Sequence, residues 1–169
     1  MTNDAVNPFG YARQTFSFRG KKEEGFFIPQ ENETGWWWQG ENARLGSLAT
    51  AALVGGNLLF TADHNRPAYD SLKVFAARQL SWILGSNPYS TCFMYGFGSK
   101  NVPYMHSSFG HGSERGGISN GITGKEGREN GSGIDYKEDD KGNEWRWTEQ
   151  WLPHAAWFLQ AMTALKGLD

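Results

Sequence analysis

The sequence predicts an all-α chain of about three helices joined by long, glycine- and aromatic-rich loops. Three observations carry that expectation. Apolar residues recur at helical spacing in three separate segments. Residues 86–148 hold more than half of the 22 glycines and show no durable period. Aromatic residues make up 15% of the chain and supply large apolar area per side chain, which excludes disorder even at a mean hydropathy of -0.60.

Residues 1–40 carry Pro8, Gly10, Gly20, Gly25, Pro29 and Gly35 among aromatics, with neither helical nor strand periodicity, and read as a long ordered loop. Ala43, Leu45, Leu48, Ala51, Ala52 and Leu53 then mark a helix near 42–54, for which Gly55 and Gly56 offer a stop. Ala68, Leu72, Phe75, Ala76, Leu80, Ile83 and Leu84 mark a second helix near 66–84, with Pro67 suited to its first turn. A short strand is expected at Thr91–Tyr95. Leu152, Ala155, Ala156, Leu159, Met162 and Leu165 mark a third helix near 151–165, and Pro153 sets its start. Loops this long make a poor three-helix bundle, whose connections run about 2–8 residues. The chain therefore reads as part of a larger helical scaffold whose loops build a site on one face.

Sixteen basic and 18 acidic residues give a net charge of -2, which provides no electrostatic footprint for nucleic acid. No apolar run approaches the roughly 20 residues that cross a bilayer, and Met1-Thr2-Asn3-Asp4 does not resemble a signal peptide. No membrane partner is expected. Cys92 stands alone, so it forms neither an intrachain disulfide nor a zinc cluster, and it reads as a small buried filler. The four histidines lack metal-ligand spacing, and the acidic stretch Asp135–Asp140, interrupted by Lys137, fits a solvated surface. No metal or other cofactor is expected.

Three blocks carry a family resemblance. Ile83-Leu84-Gly85-Ser86-Asn87-Pro88 followed by Gly96-Phe97-Gly98, Trp38-Gln39-Gly40-Glu41-Asn42 opening a helix, and Thr148-Glu149 before the last helix occur in the order seen in glycoside hydrolase family 9, the cellulase family. The resemblance implies a partial (α/α)6 barrel, with residues 1–169 forming a C-terminal segment of the catalytic domain. It also implies an inverting acid/base mechanism on β-linked glucan or a related polysaccharide, and a secreted or periplasmic location. Glu149 matches the general acid. The family's D-A-G-D motif, which supplies the base, has no match here, so a missing N-terminal part of the same domain is the expected partner. The isolated chain is expected to be inactive.

His106 aligns with the first histidine of the family's P-H-H-R loop and is a candidate sugar ligand, while Ser107 and Ser108 depart from that motif. Arg115 is a candidate replacement for the missing arginine. Trp36, Trp37 and Trp38, three in a row beside glycine, cannot all face inward, and at least one is expected to stack on a pyranose. Tyr104 and Trp147 are further stacking candidates. For each aromatic the competing reading is core packing, and for Glu149 it is a helix-start residue. Two alternative functions stand beside the hydrolase: a non-catalytic carbohydrate-binding fragment, and an (α/α)6 glycosidase of different sugar specificity.

Overall fold

The computed structural model describes residues 7–18, 20–29, 31–32, 35–36, 40–60, 66–106, 110, 112–125, 133–138 and 145–167. In chain order these form β1 (Gln14–Phe18), β2 (Lys21–Gly25), β3 (Glu31–Asn32), β4 (Gly35–Trp36), α1 (Asn42–Phe60), α2 (Arg66–Ile83), β5 (Thr123–Gly124), β6 (Ile134–Asp135), α3 (Trp145–Thr148) and α4 (Leu152–Lys166). Among the described residues, strands pair as two-stranded antiparallel ribbons, β1 with β2, β3 with β4 and β5 with β6. The three long helices begin where the apolar periodicity places them, and the described residues are helix-rich with a few short strands in place of the expected all-α chain.

Helix α1 is the centre. It packs against both α2 and α4, which touch each other far less. Leu45, Ala49, Ala52, Leu53 and Gly56 are buried along it. Small residues set the approach on both sides. A Cβ at Gly46 would lie 2.9 Å from the Trp157 Cβ of α4, and one at Gly56 would lie 2.8 Å from Leu72 Cδ1 of α2. This corrects the expectation that Gly55 and Gly56 end the helix. Packing against α2 carries α1 through them to Phe60, because tertiary contact outweighs glycine's weak helix propensity. At 19 residues, α1 is also long and apolar enough to cross a membrane by length and composition, contrary to the expectation that no such run exists. Here it is the core helix.

The first 40 residues also depart from the expected loop, since they contain two hairpins. In the first, Phe16 pairs with Glu23 and Ser17 with Lys22. Behind it, Phe9, Tyr11 and Phe27 cluster on Trp82 of α2, with ring centroids 4.4–6.3 Å apart. Gln79 stitches the segment to α2: its Oε1 accepts from Ala12 N at 2.9 Å and its Nε2 donates to Gly10 O at 2.8 Å. Glu41, 2% exposed, gathers the rest. Its carboxylate accepts from Tyr11 Oη at 2.8 Å, Arg44 Nε at 2.8 Å, Gln14 Nε2 at 3.5 Å and the Ile28 amide. Burial, reinforced by the neighbouring Glu41 charge, raises the Tyr11 phenol well above its ordinary pKa, so it stays a donor.

The two glycines of α1 make opposite predictions. Nothing lies within 4 Å of a Cβ built at Gly55, so Gly55→Ala stabilises the chain by about 0.5–1 kcal/mol. Gly46→Ala must displace Trp157 Cβ and the Phe158 backbone, and it destabilises by about 1–3 kcal/mol. Thermal denaturation of the two variants reads both signs.

Candidate functional site

Helix α2 ends in a Schellman turn. Gly85 N donates to Trp82 O and Ser86 N to Ser81 O, with Gly85 at φ +118°. The next residues are organised by Asn87, 2% exposed, whose Nδ2 donates to Trp82 O and Thr91 O at 2.8 Å each. Its Oδ1 accepts from Tyr89 N and Thr91 N. The I-L-G-S-N-P block is therefore a helix stop and a turn, and it aims the following chain across the end of the helices.

That chain becomes the middle of an irregular ribbon. Residues 91–95 form isolated bridges in place of the expected strand: Cys92 with Asn101, and Met94 with Ile118. Tyr95 N donates to Gly117 O and Ser119 N to Phe93 O, at 2.9 and 3.0 Å. The other edge of residues 119–121 pairs with the end of α3 and the segment after it. Asn120 N donates to Glu149 O at 2.9 Å, Gly121 N to Trp147 O at 2.8 Å, and Ser119 bridges Gln150.

The start of α1 clamps this ribbon. Asn42, 1% exposed, donates from Nδ2 to Ser119 O at 2.8 Å and from its backbone N to Asn120 O at 3.3 Å. Gly121, at φ +86°, leaves room for it; a Cβ there would lie 2.5 Å from Asn42 Nδ2. Asn42 and Glu149, more than 100 positions apart, thus meet through residues 119–121.

Glu149 is partly exposed on this ribbon, and its Oε2 accepts from Trp151 Nε1 at 2.6 Å. Gln150, between them, holds the Glu114–Gly117 turn: Oε1 accepts from Glu114 N at 2.8 Å, and Nε2 donates to Glu114 O at 3.0 Å and Gly117 O at 3.3 Å. Arg115 lies in that turn and is exposed, with its guanidinium carbon 5.0 Å from the Phe97 ring centroid. It is therefore placed on the Gly96-Phe97-Gly98 loop, on the ribbon that carries Glu149.

His106 is exposed and meets Tyr104 edge-on at 4.9 Å between ring centroids; Tyr104, 43% exposed, meets Tyr95 at 6.0 Å. Met105 N donates to Ser113 Oγ at 2.8 Å, which ties this loop to the turn bearing Arg115. Trp147 is placed differently from the stacking candidate expected. It is 4% exposed, its indole N–H donates to Thr123 Oγ1 and Asp135 O, and Lys137 and Arg146 each lie 5.0 Å from its ring. Enclosed in this way, it supports the Glu149 segment from the core and leaves no ring face for a pyranose. Trp36 lies in β4. Its side chain, together with Trp37, Trp38, Ser107 and Ser108, falls outside the described residues. Among the described residues no group of three His, Cys, Asp or Glu is placed to hold a metal ion.

Asn120 and Gln150 are the site residues that sequence reasoning passed over, while Asn42 entered it only as the end of the Trp38–Asn42 block and Trp151 only as a neighbour of Glu149.

His154, on the first turn of α4, is 3% exposed, and burial, opposed in smaller part by the Trp151 backbone, lowers its pKa from 6.5 to about 4. The unfolded chain binds this proton near pH 6.5 and the folded chain only near 4, so stability falls as the pH drops between those values. The loss approaches about 3 kcal/mol. His154→Phe, of similar shape, removes that component, and the difference between the two stability–pH curves measured by denaturant unfolding isolates it. Parallel curves would contradict the assignment.

No curated protein sequence matches the chain at a significant level. The sequence model of glycosyl hydrolase family 9, by contrast, matches residues 8–157, a span that takes in the α2 stop, the clamp at Asn42 and the Glu149 segment. The chain belongs to glycosyl hydrolase family 9.

Proposed function

We propose that this chain supplies the general acid, Glu149, to an inverting glycoside hydrolase acting on β-linked glucan or a related polysaccharide. The observation that carries the reading is the Glu149 carboxyl, partly open to solvent, on a backbone segment pinned to the buried residues 119–121 at Trp147, Glu149 and Gln150. A proton donor must be accessible yet fixed to within fractions of an ångström, and that segment provides both conditions. In the inverting reaction the protonated carboxyl donates to the glycosidic oxygen as its bond to the anomeric carbon breaks. A second carboxylate, about 6.5–9.5 Å away, takes a proton from the water that attacks the opposite face.

That base is expected on an upstream segment of the same catalytic domain, in a barrel of which α1, α2 and α4 are one part. The outer surfaces of these helices fit such a role: Leu58 and Leu59 of α1 are 73% and 63% exposed, and Leu152 and Leu159 of α4 are 81% and 68% exposed. Apolar residues in this number on helices seek a cover. His106 and Tyr104 are proposed to meet the sugar from the adjoining loop, with Arg115 and the Trp36–Trp38 stretch as further contacts. Export to the cell exterior or periplasm agrees with a polysaccharide substrate. A different sugar preference is the second reading, favoured by Ser107 and Ser108 beside His106.

The reading predicts that this chain alone does not hydrolyse glucan. In the complete catalytic domain, Glu149→Gln lowers kcat by about 10²–10⁴-fold on cello-oligosaccharides, whose poor leaving group needs the proton. The loss is smaller on activated aryl glycosides. Equal, minor losses on both substrates would make Glu149 a helix-start residue and nothing more.

A further inference from the structure

Glu149 and Trp151 lie two residues apart across the junction between α3 and α4, with Trp151 extended at φ -124° and ψ 143°. In extended backbone, side chains two apart share a face and the one between points away. The contacts agree, because Gln150 is occupied with the Glu114–Gly117 turn while the Trp151 indole N–H reaches Glu149 Oε2 at 2.6 Å. Trp151 occupies the N-cap position of α4, yet its side chain makes no capping bond. Trp151 is 46% exposed, so core burial does not account for the orientation of its side chain. Its polar atom is engaged with one oxygen of one carboxyl group.

We infer that Trp151 is a positioning residue for Glu149, holding Oε2 so that Oε1 carries the transferable proton. An indole nitrogen only donates, so the oxygen it occupies is the poorer place for a carboxyl proton. With Oε2 held, the O–H sits on Oε1 and the carboxyl loses its freedom to rotate. The inference rests on Glu149 being the acid. During transfer the proton moves from Oε1 to the glycosidic oxygen, and the electron pair of the breaking C–O bond goes to that same oxygen. Glu149 is left as an anion whose charge spreads onto Oε2. The indole bond, neutral-to-neutral at the start, becomes a stronger bond to a charged acceptor as the proton leaves. An interaction that strengthens along the reaction lowers the barrier, whereas one of constant strength does not.

Two measurements test this. In the present chain, the Trp151 indole N–H resonance, assigned by its loss in Trp151→Phe, is followed by NMR from pH 3 to pH 7. It moves with carboxyl protonation in the wild type and loses that movement in Glu149→Gln. The second arm is needed because His154, three positions on, titrates at about 4. A wild-type resonance that does not move, or that moves equally in Glu149→Gln, overturns the inference. In the complete catalytic domain, Trp151→Phe keeps an aromatic ring but removes the donor. It lowers kcat on cello-oligosaccharides by about 10- to 100-fold, the size of a hydrogen bond to a charged group, with KM unchanged. The loss shrinks on activated aryl glycosides. Wild-type kcat, or equal losses on both substrates, overturns the inference while leaving the acid assignment intact. Full activity in Glu149→Gln instead removes the acid assignment itself.

Discussion

The hydrogen bond from the Asn120 amide to the Glu149 carbonyl, backed by the Asn42 side chain on Ser119, is the constraint on which the rest of the site depends. Ser119 and Asn120 are both fully buried, and a buried backbone group without a partner costs about 1–3 kcal/mol. Residues 118–121 are shared between the 92–95 segment on one side and the 147–150 segment on the other, so neither neighbour can shift without stranding amides of the same strip. Closing a loop costs entropy that grows only with the logarithm of its length, about 0.6 kcal/mol for each doubling. A string of such pairings offsets that cost and holds a long glycine-rich stretch in a single shape.

A second hub ties the first residues to the same helix. Glu41 precedes Asn42 directly, and its buried carboxylate would be costly without the tyrosine, arginine and backbone donors that surround it. One dipeptide at the start of α1 thus faces two ways. Glu41 collects Tyr11, Gln14 and Ile28, while Asn42 collects Ser119 and Asn120. The N-terminal hairpin and the Glu149 ribbon are referenced to one helix end, and α1 is fixed in turn by its close approaches to α2 and α4.

Helix positions were legible because burial of one face imposes a period that survives in the sequence: Leu72, Phe75, Ala76, Leu80 and Ile83 show it plainly. Gly55 and Gly56 misled because local propensity carries no information about Leu72 and Tyr69, which pack at Gly56. The hairpin of residues 14–25 escaped notice since β2 is four exposed charged residues and a glycine, with no alternation to read. Glu149 was legible only through its motif neighbours. Trp147 and Trp151 stand equally close to it in sequence, and only backbone geometry separates the buried support from the exposed donor. Contacts such as Asn42 to Ser119, 77 positions apart, leave no local trace at all.

Native-state hydrogen exchange measures the central claim directly. If residues 119–121 are part of the core and anchor Glu149, the Asn120 and Gly121 amides exchange only through global unfolding, with protection equal to that of Leu53 in the middle of α1. Exchange of these two amides orders of magnitude faster than Leu53 would show a ribbon that opens independently of the helices, and Glu149 would then have no fixed position from which to deliver a proton.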